Sequence, residues 1–507
     1  MKVLIGAIDK YQLIDARWVL QCAAYSVLIS VFTDCVFKMT VLRNSDLKKS
    51  NLWNHELIKR YDLSGPRYTS YPTAPQFHEQ FTEQAFLAAI GRGNQSGRPL
   101  SLYFHIPFCS TVCYYCACNK VITANRKRAL PYLKSLITEI ERVGAYADRN
   151  RSVDQLHWGG GTPTYIRDDE KRLLMEAIGR HFNLRSDDSG EYSIEIHPGE
   201  TSVESIGCLR DLGFNRLSIG IQDFDETVQQ AVNRFNSVAE VRSLVDAAHA
   251  QGFHAISMDL IYGLPHQSWE TFERTLDDII LLSPDRLSVF NYAHLPHMFK
   301  VQRQINEQHL PPPEVKLNIL EKATEKLLDA GYVYIGMDHF AKPDDELAVA
   351  QQQGRLQRNF QGYATHGGCD LIGMGVSSIS AIDNVFSQNH KTLDEYTQAI
   401  DQGRLPVVRG IELSRDDLLR RQVIQQLTCQ FKLEFSDIEQ QFDILFADYF
   451  GEELSALQPM IEDGLLLRTE HSIQVTEAGR LFIRRICMLF DVYLRESAQP
   501  VKFSKIL

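Results

Sequence analysis

The sequence has no excess of positive charge, no paired-cysteine framework and no internal repeat. Its 507 residues hold 53 Lys and Arg against 64 Asp and Glu, a formal net charge of -11. Nonspecific nucleic-acid binding draws on a surplus of Lys and Arg, so the total argues against that class. It leaves room for a local arginine cluster that meets an anionic small molecule. Ten cysteines are present, but Cys22, Cys35, Cys208, Cys369, Cys429 and Cys487 stand singly, and the other four fall between Cys109 and Cys118. A secreted disulfide scaffold is short and evenly rich in cysteine. The pattern here points to a reducing compartment and one metal or redox site.

A clean membrane span is lacking too. Trp18 to Phe37 comes nearest, with Asp34 its one charged residue, but it contains Gln21, Ser26, Ser30 and Thr33. The residues before it mix signs (Lys2, Asp9, Lys10, Asp15, Arg17), unlike the basic start of a secretion signal. No lysine or arginine cluster sets an orientation. Residues 1–38 are therefore expected to be an apolar extension outside the folded protein, dispensable and not necessarily translated, with Met39 as an alternative start.

What is there is an ordinary globular composition, 44% hydrophobic and 23% charged. From about residue 100, β-type runs alternate with helical periods. The runs are Ser101–His105, Val153–Trp158, Tyr192–His197, Arg216–Ile221, Ala255–Tyr262 and Arg286–Ala293. Between them, apolar residues recur at three and four, as in Leu133, Leu136, Ile137, Ile140 and Val143. Six such alternations predict a parallel sheet with crossover helices, either a curved half barrel or a doubly wound sheet. In both, ligands meet the carboxyl ends of the strands. Pro311 to Pro313 open a further helix, Glu314 to Asp329. Tyr332–Phe340 reads as one more strand and residues 341–368 as a long functional loop. After about Arg409 the pattern becomes helical, with a hairpin over Leu465–Thr476, similar to a winged-helix module. Arg420, Arg421, Arg484 and Arg485 are mixed there with many acids, which favours packing over nucleic-acid binding.

The chemistry concentrates after the first run. Cys109, Cys113 and Cys116 are spaced C-x3-C-x2-C. Three thiolates on a loop can hold three irons of a cubane, leaving the fourth iron open to chelate S-adenosylmethionine. An electron passed into the sulfonium would then start radical chemistry that the cofactor supplies and the protein aims. The competing reading is a structural zinc with Cys118 as fourth ligand. Such sites usually draw two cysteine pairs from separate segments; none is present, and Cys118 lies only two residues from Cys116. Tyr115, between two ligands, could pack on an adenine. Gly159-Gly160-Gly161-Thr162 follows the second run, where glycines admit a close backbone approach to a ligand. Glu195, Gln222 and Asp259 stand at or near later strand ends.

Five segments carry a resemblance. They are Gly65–Pro72 (GPRYTSYP), His105–Cys109 (HIPFC), Cys116–Lys120 (CACNK), His157–Thr164 (HWGGGTPT) and Asp259–Pro265 (DLIYGLP). With the cysteine spacing, they make the chain from about Leu52 onward similar to oxygen-independent coproporphyrinogen III oxidases of the radical S-adenosylmethionine superfamily. The resemblance implies an α/β fold, a partial (β/α)6 barrel over residues 101–400. An N-terminal arm over 39–100 and a mostly helical, winged-helix-like domain over 401–507 would flank it. It implies oxidative decarboxylation of two propionates of coproporphyrinogen III to vinyl groups, giving protoporphyrinogen IX for haem synthesis. It implies one [4Fe-4S] cluster on Cys109, Cys113 and Cys116, and two S-adenosylmethionine molecules. Carried over by motif, the first would meet Tyr103, Tyr115, Gly160, Glu195, Ala293 and Ile379. The second would meet Gly161, Thr162, Gln222, Arg234 and Asp259. The opposite charges of Arg234 and Asp259 suit a methionine carboxylate and ammonium, or else form a structural ion pair. Cys118, Arg67 and Tyr68 are candidate catalytic residues, Arg67 as a cation for a substrate propionate. Two departures stand out: Tyr115 where the family often has Phe, and Ile196-His197-Pro198 where an acid is expected before the proline. A cytoplasmic monomer is expected, served by a separate electron donor, with no nucleic-acid or membrane partner. The alternative is a haem-binding chaperone paralogue, which generally lacks the fourth cysteine and the GPRYTSYP segment.

Overall fold

Each of the six expected runs forms a strand: β1 Leu100–Ile106, β2 Ser152–Gly160, β3 Glu191–Ile196, β4 Arg216–Gln222, β5 Ala255–Tyr262 and β6 Arg286–Asn291. The computed structural model describes residues 53–496 and Lys505. The Trp18–Phe37 segment, the 1–38 extension and residues 39–52 of the arm lie outside the described residues. Consecutive strands pair in parallel from β1 to β6. Their order in the sheet follows their order in the chain, so there is no reversal point of the doubly wound kind. Right-handed crossovers then put every connecting helix on one face and leave the other face as the lumen of a partial barrel.

The connecting helices are α1 Ala129–Tyr146, α2 Asp168–His181, α3 Val203–Asp211, α4 Val238–Ala250 and α5 Trp269–Leu282. Their starts are legible. Ser237 and Glu240 form a capping box at α4, and Ser268 accepts from the Thr271 N–H at α5. The helices bury residues such as Leu133, Leu136, Ile140, Leu244 and Leu276 against the sheet. Alternation along β5 shows the division of faces: Ile256, Met258, Leu260 and Tyr262 are buried, while Ser257, Asp259 and Ile261 are less so. Ser257 and Asp259, with His157, Glu195 and Ser218, line a lumen of about 340 Å3. The amino-terminal strand ends carry structural ion pairs. Arg216 reaches Glu346 at 2.7 Å and Arg286 reaches Asp345 at 2.9 Å.

Helix α6, Pro313–Asp329, follows β6 as expected. Tyr332–Phe340 is not one strand but two, β7 Val333–Gly336 and β8 His339–Ala341, turning through Met337 and Asp338 at φ 42° and 74°. Residues 341–368 are not a structureless loop: they contain a helix, Glu346–Gln352, and a hairpin, Gln357–Asn359 with Gly362–Ala364. Asn359, Gln361 and Tyr363 of that hairpin line the lumen. Strand β9, Asp370–Met374, pairs in parallel with β1, and β10 Ile379–Ile382, β11 Val385–Asn389 and β12 Val407–Glu412 extend the sheet antiparallel.

The C-terminal hairpin forms as Leu466–Arg468 with Ser472–Val475, and Lys432–Glu434 joins it as a third strand. Arm residues Ile58, Tyr61, Tyr68 and Tyr71 share a core with Leu419, Val423, Phe431 and Phe482 of the C-terminal region. Arg420 is held by Glu453 and Asp416, both at 2.8 Å. Among the described residues no helix is long and apolar enough to cross a membrane.

Candidate active site

The cysteine loop leaves the carboxyl end of β1 and is held from the segment after β4. The Tyr114 N–H donates to Val232 O at 2.9 Å, and Asn233 Nδ2 donates to Val112 O at 2.7 Å. The next residue, Arg234, is buried and turns Nη1 to within 3.8 Å of Cys113 Sγ, while Nη2 donates to Gly220 O. Its Nε is buried without a partner. Thr162 Oγ1 donates to Cys109 Sγ at 3.5 Å. Lys120 Nζ donates to Cys116 O at 3.0 Å, and the Cys118 hydrogen bond, opposed by burial and helped by the Lys120 charge, lowers the Cys116 thiol to about 6. Burial pushes the Cys109 thiol up to about 12, so ligation there releases a proton.

Hydroxyl, guanidinium and ammonium donors therefore surround three partly exposed sulfurs on one loop, an arrangement that suits an anionic thiolate-held group. Among the described residues no three His, Cys, Asp or Glu side chains converge as the ligands of one metal ion do. A cubane needs no such convergence, because it takes one thiolate per iron. Three thiolates on one loop suit the cluster reading. Cys118 is exposed beside them.

The glycine loop packs directly on this loop. The Gly161 N–H donates to Ile106 O at 2.9 Å and the Thr162 N–H to Phe108 O at 2.8 Å. A Cβ on Gly161 would meet Pro107 O at 2.6 Å. Gly160 has φ +121°, and a Cβ there would strike the His105 ring at 2.8 Å. Its N–H donates to Glu195 Oε2 at 3.1 Å, and His157 Nε2 lies 3.4 Å from Glu195 Oε1. Burial works to raise the Glu195 carboxyl, but His157 and the Gly160 N–H outweigh it and hold the group below its ordinary value. Tyr103 stacks on His157 with ring centroids 5.9 Å apart. Across the lumen, Asp259 accepts from Ser218 Oγ at 3.1 Å. Burial, with the Glu195 charge adding to it, raises its carboxyl to about 6.

Glu195 and Asp259 thus line the lumen, with Tyr103 stacked on His157 and Gly160 bonded to Glu195 beside it. Gly161, Thr162, Tyr115, Gln222 and Arg234 gather at the cysteine loop. Gln222, at φ 72°, closes β4 where a Cβ on Gly220 would meet both Arg234 Nη2 and Gln222 Nε2 at 2.9 Å. Gln302 Nε2 ties Tyr115 O (2.9 Å) to Ala293 O (3.2 Å). The backbone of Ile379 lies against Gly373, which pairs with Tyr103. Arg67 bonds Asp338 at 2.8 Å and stands 5.7 Å over the Phe290 ring. Arg234 and Asp259 form no structural ion pair, because each has other partners. Tyr68 has a structural place: it is buried in the C-terminal core and its hydroxyl donates to Asp491 Oδ2 at 3.0 Å. Sequence reasoning assigned no role to His157 or Asn233. The HWGGG motif flagged the first; nothing local flagged the second.

Comparisons with known proteins place the chain in a family. The sequence model of the Radical SAM superfamily matches residues 103–279, and that of the HemN C-terminal domain matches residues 413–482. An oxygen-independent coproporphyrinogen III oxidase of Pseudomonas aeruginosa is 53% identical over 455 residues, covering 90% of this chain and 99% of the relative. That of Escherichia coli is 50% identical, covering 90% and 98%. The solved structure of coproporphyrinogen III oxidase (HemN) from Escherichia coli, described as a radical SAM enzyme, superposes with a TM-score of 0.83, covering 87% of this chain and 99% of that one. With half its residues identical across nine tenths of its length, the chain belongs to the family of oxygen-independent coproporphyrinogen III oxidases within the radical SAM superfamily.

Proposed function

We propose that this chain oxidatively decarboxylates two propionate side chains of coproporphyrinogen III to vinyl groups, giving protoporphyrinogen IX for haem synthesis without molecular oxygen. The observation that carries the reading is the meeting of the cysteine loop and the glycine loop at the carboxyl ends of β1 and β2, with Glu195 and Arg234 beside them. Cys109, Cys113 and Cys116 hold a [4Fe-4S] cluster. When bound, that cluster supplies the electron that cleaves S-adenosylmethionine and begins the radical chemistry.

The chain's own residues position the reactants. At Gly160 the room a side chain would need is taken by the His105 ring, and the Gly160 N–H with His157 holds Glu195 below its ordinary value, ready to receive ligand donors. Tyr103, Tyr115, Ala293 and Ile379 complete the first S-adenosylmethionine site. Gly161, Thr162, Gln222, Arg234 and Asp259 serve a second molecule. The buried, unpartnered Arg234 Nε supports this, since a guanidinium nitrogen without an acceptor is costly unless a ligand supplies one. Arg67 offers a cation to a substrate propionate. Cys118 is free of the cluster. The enzyme works as a cytoplasmic monomer with a separate electron donor, and neither nucleic acid nor membrane takes part. Anaerobic reconstitution with iron and sulfide, followed by assay with coproporphyrinogen III, S-adenosylmethionine, a low-potential reductant and an added one-electron acceptor for the substrate radical, tests the reading. Protoporphyrinogen IX should form. A fully loaded cluster that yields none would refute it.

A further inference from the structure

A cavity of about 680 Å3 opens at the carboxyl ends of β5 and β6. Tyr262 closes β5 and Asn291 closes β6; both line it, and so do Ala293 of the first S-adenosylmethionine site and Arg67. Its volume is in the range of pockets that enclose a whole organic ligand. Tyr292, Leu310, Leu317 and Leu320 give it broad apolar walls. Two polar groups in those walls lack the partners that burial demands. Asn291 Oδ1 is buried with no hydrogen bond. Lys316, half-buried on the first turn of α6, donates to Tyr292 O at 3.2 Å, stands 6.0 Å over the Tyr292 ring and makes no ion pair among the described residues. Burial, with Lys505 adding repulsion, holds its ammonium below the ordinary lysine range. Gly263, at φ +82°, clears its path: a Cβ there would meet Lys316 Cε at 2.8 Å.

An unpaired buried acceptor and a desolvated, unpaired cation each cost stability unless a ligand satisfies them. One molecule with pyrrole N–H donors, a large apolar ring and several carboxylates would satisfy both and fill the walls between. We propose that this cavity seats the tetrapyrrole of the substrate, with Lys316 receiving one propionate carboxylate and the Asn291 amide accepting from a pyrrole N–H. The proposal rests on the functional reading above and adds to it a place for the ring.

The test is steady-state kinetics of the reconstituted holoenzyme with coproporphyrinogen III, comparing Lys316→Met, Lys316→Arg and Asn291→Leu with wild type at equal iron content. Lys316→Met should raise KM about tenfold or more, the loss expected for a charge-assisted hydrogen bond, with a smaller change in kcat. Lys316→Arg should recover most of that loss. Asn291→Leu removes an unsatisfied buried oxygen, so it should melt no lower than wild type and yet raise KM. A purely structural role would not separate stability from KM in this way. Wild-type KM in both Lys316→Met and Asn291→Leu would overturn the cavity assignment and leave the functional reading intact. A wild-type holoenzyme without turnover would overturn that reading instead. If Lys316→Met fails to fold, Lys316→Arg and Asn291→Leu still decide the matter.

Discussion

Arg234 Nη1 stands 3.8 Å from Cys113 Sγ, whereas Asp259, its partner in the alternative ion-pair reading, accepts from Ser218 Oγ. A cation 121 residues along the chain from Cys113 is therefore part of that thiol's surroundings. Asp259 belongs to the lumen with Glu195.

That separation gives the first prediction. Arg234→Leu and Asp259→Ala should each keep iron and sulfide near wild type and stay folded, since neither breaks an ion pair. Product formation should fall by on the order of a hundredfold, as expected when a reactant loses its positioning. Equilibrium binding should drop from about two S-adenosylmethionine per chain to about one. Retention of wild-type yield, or unfolding in place of inactivation, would remove these residues from the second site.

The thiols give a second. Cys109→Ser, Cys113→Ser and Cys116→Ser should each abolish the iron–sulfur absorbance and 5′-deoxyadenosine production. Cys118→Ser should keep both spectrum and iron, because Cys118 is exposed and no fourth thiolate is required. Equal iron loss in Cys118→Ser would rule out ligation by three cysteines.

A third concerns the glycine loop. Gly160→Ala must place a Cβ at φ +121° and 2.8 Å from the His105 ring, a strain of about 1–3 kcal/mol. The variant should melt lower than wild type and lose the Gly160 N–H to Glu195 bond along with turnover. Unchanged melting and activity would show that the loop does not need glycine there.

These residues also show what a sequence can convey. The six strands and the grouping of three thiols on one loop were legible because period-two burial and C-x3-C-x2-C spacing are local signals. The β7–β8 hairpin was not. Its turn residues, Met337 and Asp338, both take positive φ without the glycine that usually announces such a turn. The Gln357–Ala364 hairpin was hidden for a related reason: three-residue polar strands carry too few positions to show alternation. Asn233 and Lys316 act through neighbours far away in the chain, and no local pattern marks a contact of that kind. Tyr68 lies in a highly specific motif, but the motif did not say that its hydroxyl serves Asp491.

The Asp259 carboxyl supplies a pH prediction. Its folded value is raised from 3.8 to about 6, so in the window between these the folded state holds a proton that the unfolded chain has released. Stability is fullest below about pH 4, declines as pH rises through about 6, and carries the whole penalty above that. Discounted for a partly open lumen, the penalty is about 1–2 kcal/mol. Asp259→Asn removes it, so the variant should melt higher than wild type at pH 7.5 and equally at pH 4. An equal gap at both values, or a lower melting point at pH 7.5, would contradict the burial of this carboxyl.

The most direct measurement counts products in one reaction. Reconstituted protein with limiting coproporphyrinogen III, excess S-adenosylmethionine, a low-potential reductant and a one-electron acceptor for the substrate radical is quenched at completion, and 5′-deoxyadenosine and protoporphyrinogen IX are quantified together. Two decarboxylations on one substrate predict two molecules of 5′-deoxyadenosine for each protoporphyrinogen IX. Cleavage of S-adenosylmethionine with no tetrapyrrole product, or tetrapyrrole bound tightly and left unchanged, would contradict the account.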